Sequence, residues 1–219
     1  MISQTEENYL KCLFALTTLN GAATINELSK HLAVKMPTAN SMMKRLAEKD
    51  LVIYESYKPI KLTAKGQKEA ALILRKHRLT EMYLVEKMGF GWEEVHDIAE
   101  QIEHIQSPRF FAKMDELLGY PKVDPHGSPI PDVDGKMQKD SYMLLSAAQV
   151  GDAVVFKAVA QSSEDLLHFL NARELALGTT IHIEHIESFD GGMQVRYAGR
   201  PSEVLSKLVC EKLLVQAVI

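Results

Sequence analysis

The sequence predicts a mainly α-helical protein with a small β module at its C-terminal end. Three observations carry that expectation. Capped segments with apolar residues at helical spacing fill the first half of the chain. A stretch dense in proline, glycine and aspartate, Gly119 to about Asp140, interrupts them and reads as a linker. From Tyr142 onward the apolar period shortens to that of strands.

At 219 residues the chain is long enough to bury one or two cores, and 46% apolar with 25% charged residues is a globular rather than a disordered composition. No run approaches the roughly 18 apolar residues of a membrane span, and no basic-then-apolar leader opens the chain. A cytoplasmic protein with no membrane partner is expected. Cys12 and Cys210 stand far apart in apolar surroundings, which predicts free thiols rather than a disulfide or a ligand pair. The formal charge of -4 is unevenly spread. Residues 1–76 hold 12 Lys and Arg against 7 Asp and Glu, a net +5, whereas residues 77–219 hold 13 against 22, a net -9. A basic head on an acidic body is the footprint of a local nucleic-acid contact.

The elements follow in order. Ser3 with Glu6 has capping-box spacing, and Tyr9, Leu10, Leu13, Phe14 and Leu16 make an apolar stripe that Asn20-Gly21 ends. Thr24 with Glu27 opens a second, short helix. After a turn at Ala33 to Met36, Pro37 suits a first helical position, where its missing N–H costs nothing, and a third helix runs to about Lys49. Leu51 to Tyr54 and Ile60 to Leu62 read as two short strands around a turn. Helix, helix, turn, helix, hairpin is the order of a winged helix-turn-helix.

That order gives the third helix a task. Pro37, Thr38, Asn40, Ser41, Lys44 and Arg45 lie on its outward part, and small, polar and basic residues are those that enter a major groove. Met42, Met43 and Leu46 are assigned to the core face. Lys35 in the turn, with Lys58 and Lys61 at the wing, would meet backbone phosphates and fix register. Double-stranded DNA is therefore the expected partner.

Thr63 caps a long helix reaching about Met88, which Gly89 to Gly91 break. His77 and Glu81 lie on it one turn apart. From Trp92 a further helix is expected to run until Ser107-Pro108, and on it Glu100, Glu103 and His104 stand at i, i+3 and i+4, with His96 one turn earlier. Carboxylates and imidazoles without thiolates suit Mn(II) or Fe(II). An ordinary solvated helix face is the competing reading of each cluster. An amphipathic helix follows from Arg109 to Leu118. Leu72, Leu74, Leu79, Met82, Tyr83, Phe110, Phe111, Met114 and Leu117 exceed what one helical layer can bury on itself, so a homodimer interface is expected, matched to a two-fold symmetric, inverted-repeat operator. His126 reads as a loop residue rather than a ligand. Residues 153–156, 180–186, 194–197 and 213–215 read as strands, with a short helix opening at Ser162-Ser163, and together they predict a small β-barrel; His182, Glu184 and His185 are taken as exposed strand residues.

In this order the parts resemble the diphtheria toxin repressor family, which includes iron-dependent repressors and manganese transport regulators. The likeness rests on Thr5-Glu6-x-x-Tyr9-Leu10, Leu62-Thr63-x-x-Gly66, Arg75-Lys76-His77-Arg78-Leu79-x-Glu81, Val95-His96-Asp97, Glu103-His104 and Pro125-His126-Gly127-x-Pro129-Ile130-Pro131. The resemblance implies three parts: a winged-helix DNA-binding domain over 1–63, a helical dimerisation and metal-binding domain with its Pro-rich linker over 64–140, and an SH3-like, FeoA-type barrel over 141–219. It implies one metal site at Asn8, Glu100, Glu103 and His104. The family has Met or Asp at the position of Asn8, Cys or Glu at that of Glu100, and, in its manganese branch, a carboxylate at that of Lys11. A second site is implied at His77, Glu81 and His96, with Gln161 or Glu164 as substitutes for the ligands that the SH3-like module gives elsewhere. The function expected is that of a metal-dependent repressor of metal-uptake genes. Two other classes remain: a winged-helix regulator answering a non-metal signal, and a carboxylate-bridged di-metal enzyme. Against the enzyme, the chain lacks paired Glu-x-x-His motifs, and that reading leaves the basic head unexplained.

Overall fold

A computed structural model describes residues 2–138 and 141–218. They form two compact units, one of residues 2–80, 99–120 and 130–138, the other of residues 81–98, 121–129 and 141–218. Among the described residues no helix is long and apolar enough to cross a membrane.

In the first unit both capping boxes form. Ser3 Oγ accepts from Glu6 N at 3.4 Å while Glu6 Oε2 accepts from Ser3 N at 2.7 Å, starting α1 (Gln4–Asn20); Gly21, at φ 72°, stops it. Thr24 and Glu27 cap α2 (Ile25–His31) in the same way. The helix α3 (Met36–Glu48) starts one residue earlier than expected, at Met36, so Pro37 is its second residue; first-turn N–H groups have no partner inside the helix, and the shift is harmless. The wing is β1 (Val52–Ile53) paired antiparallel with β2 (Lys61–Leu62), and Ala23 bridges Ile60 beside it. Tyr9, Leu10, Leu13, Leu28, Met43, Leu46, Leu51 and Ile60 are buried together as the core.

The long helix α4 (Ala64–Met88) is capped by Thr63, whose Oγ1 accepts from Gly66 N at 2.9 Å. Gly66 is required there, because a Cβ would stand 1.9 Å from the Leu51 carbonyl oxygen. The next helix is shorter than expected: α5 covers only His96–Ile102. Trp92 to Val95 form turns before it, and beyond it His104 and Gln106 make tertiary bonds to Glu7 in place of a further helical turn. Pro108 also holds the preceding Ser107 extended (φ -133°, ψ 93°). Ser107 then caps α6 (Pro108–Leu117), which Arg75 ties to α4 through Asp115. Of the surplus apolar residues, Phe111 and Met114 are buried, while Phe110 and Leu117 remain exposed.

The stretch expected to be a linker is packed over its described part. Asp124 N bonds Ser128 O, Arg75 donates to Pro131 O at 2.7 Å, and Asp124, His126, Gly127, Ile130 and Pro131 are buried. Its expected end at Asp140 lies outside the described residues.

In the second unit β3 (Met143–Leu144), β4 (Ala153–Val159), β5 (Thr180–Ile186), β6 (Met193–Tyr197), β7 (Arg200–Leu205) and β8 (Leu213–Ala217) make one antiparallel sheet in the order β3-β8-β4-β5-β6-β7. Irregular register within β4, β5 and β6 bends the sheet around Phe156, Ile181, Val195 and Val215. Leu167 and Leu170 of α7 (Glu164–Ala172) complete that core, and Cys210 of α8 (Lys207–Cys210) is buried in it. The sheet is SH3-like, as expected, and open: β3 and β7 do not pair among the described residues, and β3, two residues long, is too short to close it. Two strands and α8 escaped the sequence reading. β3 is too short to show alternation, and β7 begins Arg-Pro-Ser-Glu, a polar edge strand.

Candidate metal centre and nucleic-acid interface

In the first unit, residues of α1, α4 and the segment around α5 converge. Glu103 is fully buried just past the end of α5. His77 of α4 donates from Nδ1 to Glu103 Oε2 at 2.6 Å. Lys11 of α1 bonds both Glu100 and Glu103, standing 2.8 Å from either oxygen of Glu103 and hydrogen-bonded through Oε2. Burial alone would raise the Glu103 pKa; His77 and Lys11 more than offset it and hold the carboxyl below its ordinary value. His104, 8% exposed at its side chain, donates from Nδ1 to Glu7 at 2.5 Å, and Gln106 donates to the other Glu7 oxygen at 2.8 Å.

That bond settles the tautomer of a neutral His104: with hydrogen on Nδ1, its Nε2 is a lone pair, and it faces Glu103 Oε1 at 3.7 Å. Glu103 Oε1 is buried with the Lys11 ammonium 2.8 Å away, whereas Asn8 Oδ1 on α1 is buried without a hydrogen-bond partner among the described residues. A nitrogen lone pair facing a carboxylate oxygen against which an ammonium already stands is a place built for positive charge. Their chemistry, oxygen and imidazole, suits Mn(II) or Fe(II).

In the second unit Glu81, Asp124 and His126 are all buried and bring ligand atoms within 4.8 Å of one another. His126 Nε2 donates to the Trp92 carbonyl at 2.8 Å and its ring stacks on Trp92, so Nδ1 is the atom turned to Glu81, 3.7 Å away. Burial would lower the His126 pKa, but Glu81 and Asp124 outweigh it and raise it. His96 is exposed, with Nδ1 3.6 Å from Glu81. His96, His126 and Glu164 line one cleft of about 450 Å3, whereas Gln161 accepts from Lys212. His182 is half-buried, and Glu184 and His185 are exposed, with Glu184 held by Arg196 at 3.0 Å.

The sequence reading thus brought together Glu100, Glu103 and His104, though on a helix end rather than one helix face. It missed Glu7 as the partner of His104, and Asp124 with His126. The latter pair had a signal: in Asp124-Pro125-His126-Gly127-Ser128 the Asp124 carboxylate accepts from the backbone N–H of His126 and Ser128, a turn that fixes both side chains.

On the winged head, Lys35, Pro37, Thr38, Ser41, Lys44 and Lys61 are exposed as expected, with Met43 and Leu46 buried. Three residues are more engaged than the sequence suggests. Asn40 is half-buried and accepts from the Tyr54 hydroxyl at 2.6 Å; Arg45 lies 2.9 Å from Glu6; Lys58 pairs with Glu55.

A winged helix-turn-helix, a buried carboxylate–imidazole centre and an SH3-like sheet define a metal-responsive transcription regulator. Residues 1–60 match the iron dependent repressor N-terminal DNA binding domain, residues 63–132 the iron dependent repressor metal binding and dimerisation domain, and residues 143–217 the FeoA domain. The chain belongs to the iron-dependent repressor family, that of the diphtheria toxin repressor and the manganese regulators, as its motifs implied. It is 26% identical over 183 residues to the diphtheria toxin repressor of Corynebacterium jeikeium strain K411, an alignment covering 83% of this chain and 76% of that protein. A manganese-dependent transcriptional repressor in complex with manganese superposes with a TM-score of 0.88 at 28% identity, covering 97% of this chain and 99% of that one. ScaR with bound Zn2+ superposes with a TM-score of 0.79 at 32% identity, over 97% and 99% of the two chains. The family is one of repressors, not enzymes, and the di-metal enzyme reading falls with it.

Proposed function

We propose that this chain is a cytoplasmic, homodimeric repressor that binds an inverted-repeat DNA operator when Mn(II) or Fe(II) is held by Asn8, Glu100, Glu103 and His104. The observation that carries the reading is the convergence of His104 Nε2 on the fully buried Glu103, 3.7 Å from its Oε1. Its parts are the DNA-binding head (1–63), the dimerisation and metal domain (64–140) and the SH3-like module (141–219), a division the three family matches support. Regulation of metal uptake is the role expected of such a sensor.

The ion, when bound, supplies positive charge among the carboxylates. The chain's residues do the rest. Glu7 holds the His104 ring with Nε2 toward Glu103, and His77 orients Glu103. Asn8 would add its carbonyl oxygen from α1. On another face of α1, Glu6 grips Arg45 and Lys49 at the end of α3. Ligation that fixes α1 therefore fixes the recognition helix, where Thr38 and Ser41 would meet base edges, with Asn40 against Tyr54, while Lys35, Lys44, Lys58 and Lys61 would meet phosphates. By linkage, DNA must tighten metal binding by the factor that metal tightens DNA binding. Glu81, Asp124 and His126 support a second centre, with His96 and Glu164 at its cleft; His126 must lose a proton from Nδ1 to ligate there.

The test is binding of the purified chain to its own upstream region at fixed salt, with chelator, then with Mn(II) or, anaerobically, Fe(II). Metal-dependent binding that Glu103→Ala abolishes is expected. Binding indifferent to chelator would overturn the reading.

A further inference from the structure

We propose that the Lys11 ammonium is a tethered counter-ion that occupies the carboxylates of the metal centre and must be displaced before an ion can bind, so that Lys11 sets the metal concentration to which the protein responds. The inference rests on the metal centre proposed above and adds its regulation. Lys11 projects from α1 onto Glu100 and Glu103 at once, with its side chain only 18% exposed and that of Glu103 fully buried.

A positive charge in this place does two things. It relieves the repulsion between two carboxylates about one helical turn apart, so the metal-free chain holds them close. It also competes with any incoming cation, because a divalent ion between Glu100 and Glu103 would lie against the ammonium. The two cannot share the carboxylates. The lysine stem is long and flexible, so the ammonium can leave for water once an ion arrives, and the strongly hydrated head makes that exit feasible. Meanwhile Asn8 Oδ1, buried on α1 without a hydrogen-bond partner among the described residues, offers a first foothold before Lys11 has left. A carboxylate at this position would add a ligand; a lysine instead subtracts affinity and raises the threshold.

The experiment is a titration of the full-length chain with Mn(II), following free Mn(II) by electron paramagnetic resonance, in wild type, Lys11→Met, Lys11→Arg and Glu103→Ala. Lys11→Met fills similar space without charge and is expected to bind Mn(II) about tenfold to hundredfold more tightly, the equivalent of releasing one charge-assisted contact. Lys11→Arg, which keeps the charge, should stay within about threefold of wild type, the scatter expected for single contacts of one kind. In the absence of metal, Lys11→Met should melt at a lower temperature than wild type and be raised further by Mn(II) than wild type is. Lys11→Gln serves as a second neutral variant if the methionine chain does not fold. Wild-type or weaker Mn(II) affinity in a folded neutral variant overturns the inference while leaving the metal centre standing, provided Glu103→Ala has lost binding. Undiminished binding in Glu103→Ala overturns both.

Discussion

Replacing Glu6 by Gln tests how firmly α1 is locked to the recognition helix. Glu6 is fully buried, with Lys49 Nζ at 2.6 Å and Arg45 Nε at 2.9 Å from its Oε1, and its backbone and side chain complete the capping box with Ser3. Burial alone would raise its pKa, but the Lys49 and Ser3 hydrogen bonds more than offset that and lower it from 4.5 to about 2. A folded pKa below the unfolded one contributes stability that is complete above about pH 4.5 and is lost as the pH falls through about 2. At ~1.4 kcal/mol per tenfold change in proton affinity, the contribution is about 3 kcal/mol at neutral pH, about 1.4 kcal/mol near pH 3 and about 0.4 kcal/mol near pH 2. Gln stands in for the protonated acid. Arg45 is more than half exposed and Lys49 about a third, so water recovers part of their loss and about 2–3 kcal/mol is the expected cost at neutral pH. Urea unfolding of both chains, followed by circular dichroism at neutral pH and near pH 3, measures it. A gap below ~1 kcal/mol at neutral pH, or one that does not shrink near pH 3, refutes the reasoning.

Three further outcomes are expected. Lys61→Ala, with its side chain exposed at the wing, should weaken binding to every DNA sequence alike and reduce the slope of log affinity against log salt by about 0.9, read by fluorescence anisotropy over a salt series; an unchanged slope removes the wing from the interface. His126→Ala should lower the number of Mn(II) ions bound per chain while metal-stimulated DNA binding persists, and in wild type that centre should lose affinity as the pH falls through the raised His126 pKa, because the imidazolium cannot ligate; equilibrium dialysis at several pH values decides it. Gly127→Ala should destabilise the chain by about 2–4 kcal/mol in thermal unfolding, since at φ 83° its new Cβ would stand 2.1 Å from the Lys157 carbonyl oxygen; a cost under ~1 kcal/mol would mean that the backbone there yields easily.

Most of the first unit was legible because its signals are local. Capping boxes at Ser3 and Thr24, the turn glycine at Gly21 and the apolar stripe of α1 are read within a few residues, and each formed as expected. The candidate metal centre was half legible. Glu100, Glu103 and His104 stand close in sequence, but their arrangement depends on Glu7 and Lys11 about 90 residues away, and those contacts cut α5 to seven residues where periodicity alone predicted a longer helix. His126 lies in a loop, as read, but its burial was hidden for the same reason: Trp92 and Glu81, distant in sequence, enclose it. The edge strand β7 was hidden because edge residues need not alternate.

On the proposed reading, the placement of charge on α1 makes this helix, rather than the recognition helix itself, the part of the head that senses metal. At roughly 100° per residue, Glu7, Lys11 and Asn8 span an arc of about 100° on one side, and Glu6 lies about 100° beyond Glu7 on the other. The first arc meets Glu103 and His104; Glu6 meets Arg45 and Lys49; between and behind them Tyr9, Leu10 and Leu13 are buried in the core. A helix of 17 residues with a close-packed face transmits a rotation instead of absorbing it. Exchanging an ammonium for an ion at Glu100 and Glu103 therefore changes forces on one side of α1 while α3 is gripped from the other. Glu6→Gln, which loosens the grip and leaves every candidate ligand in place, should bind Mn(II) like wild type yet gain less DNA affinity from it. Equal metal stimulation in the two chains would show that the coupling runs through other contacts.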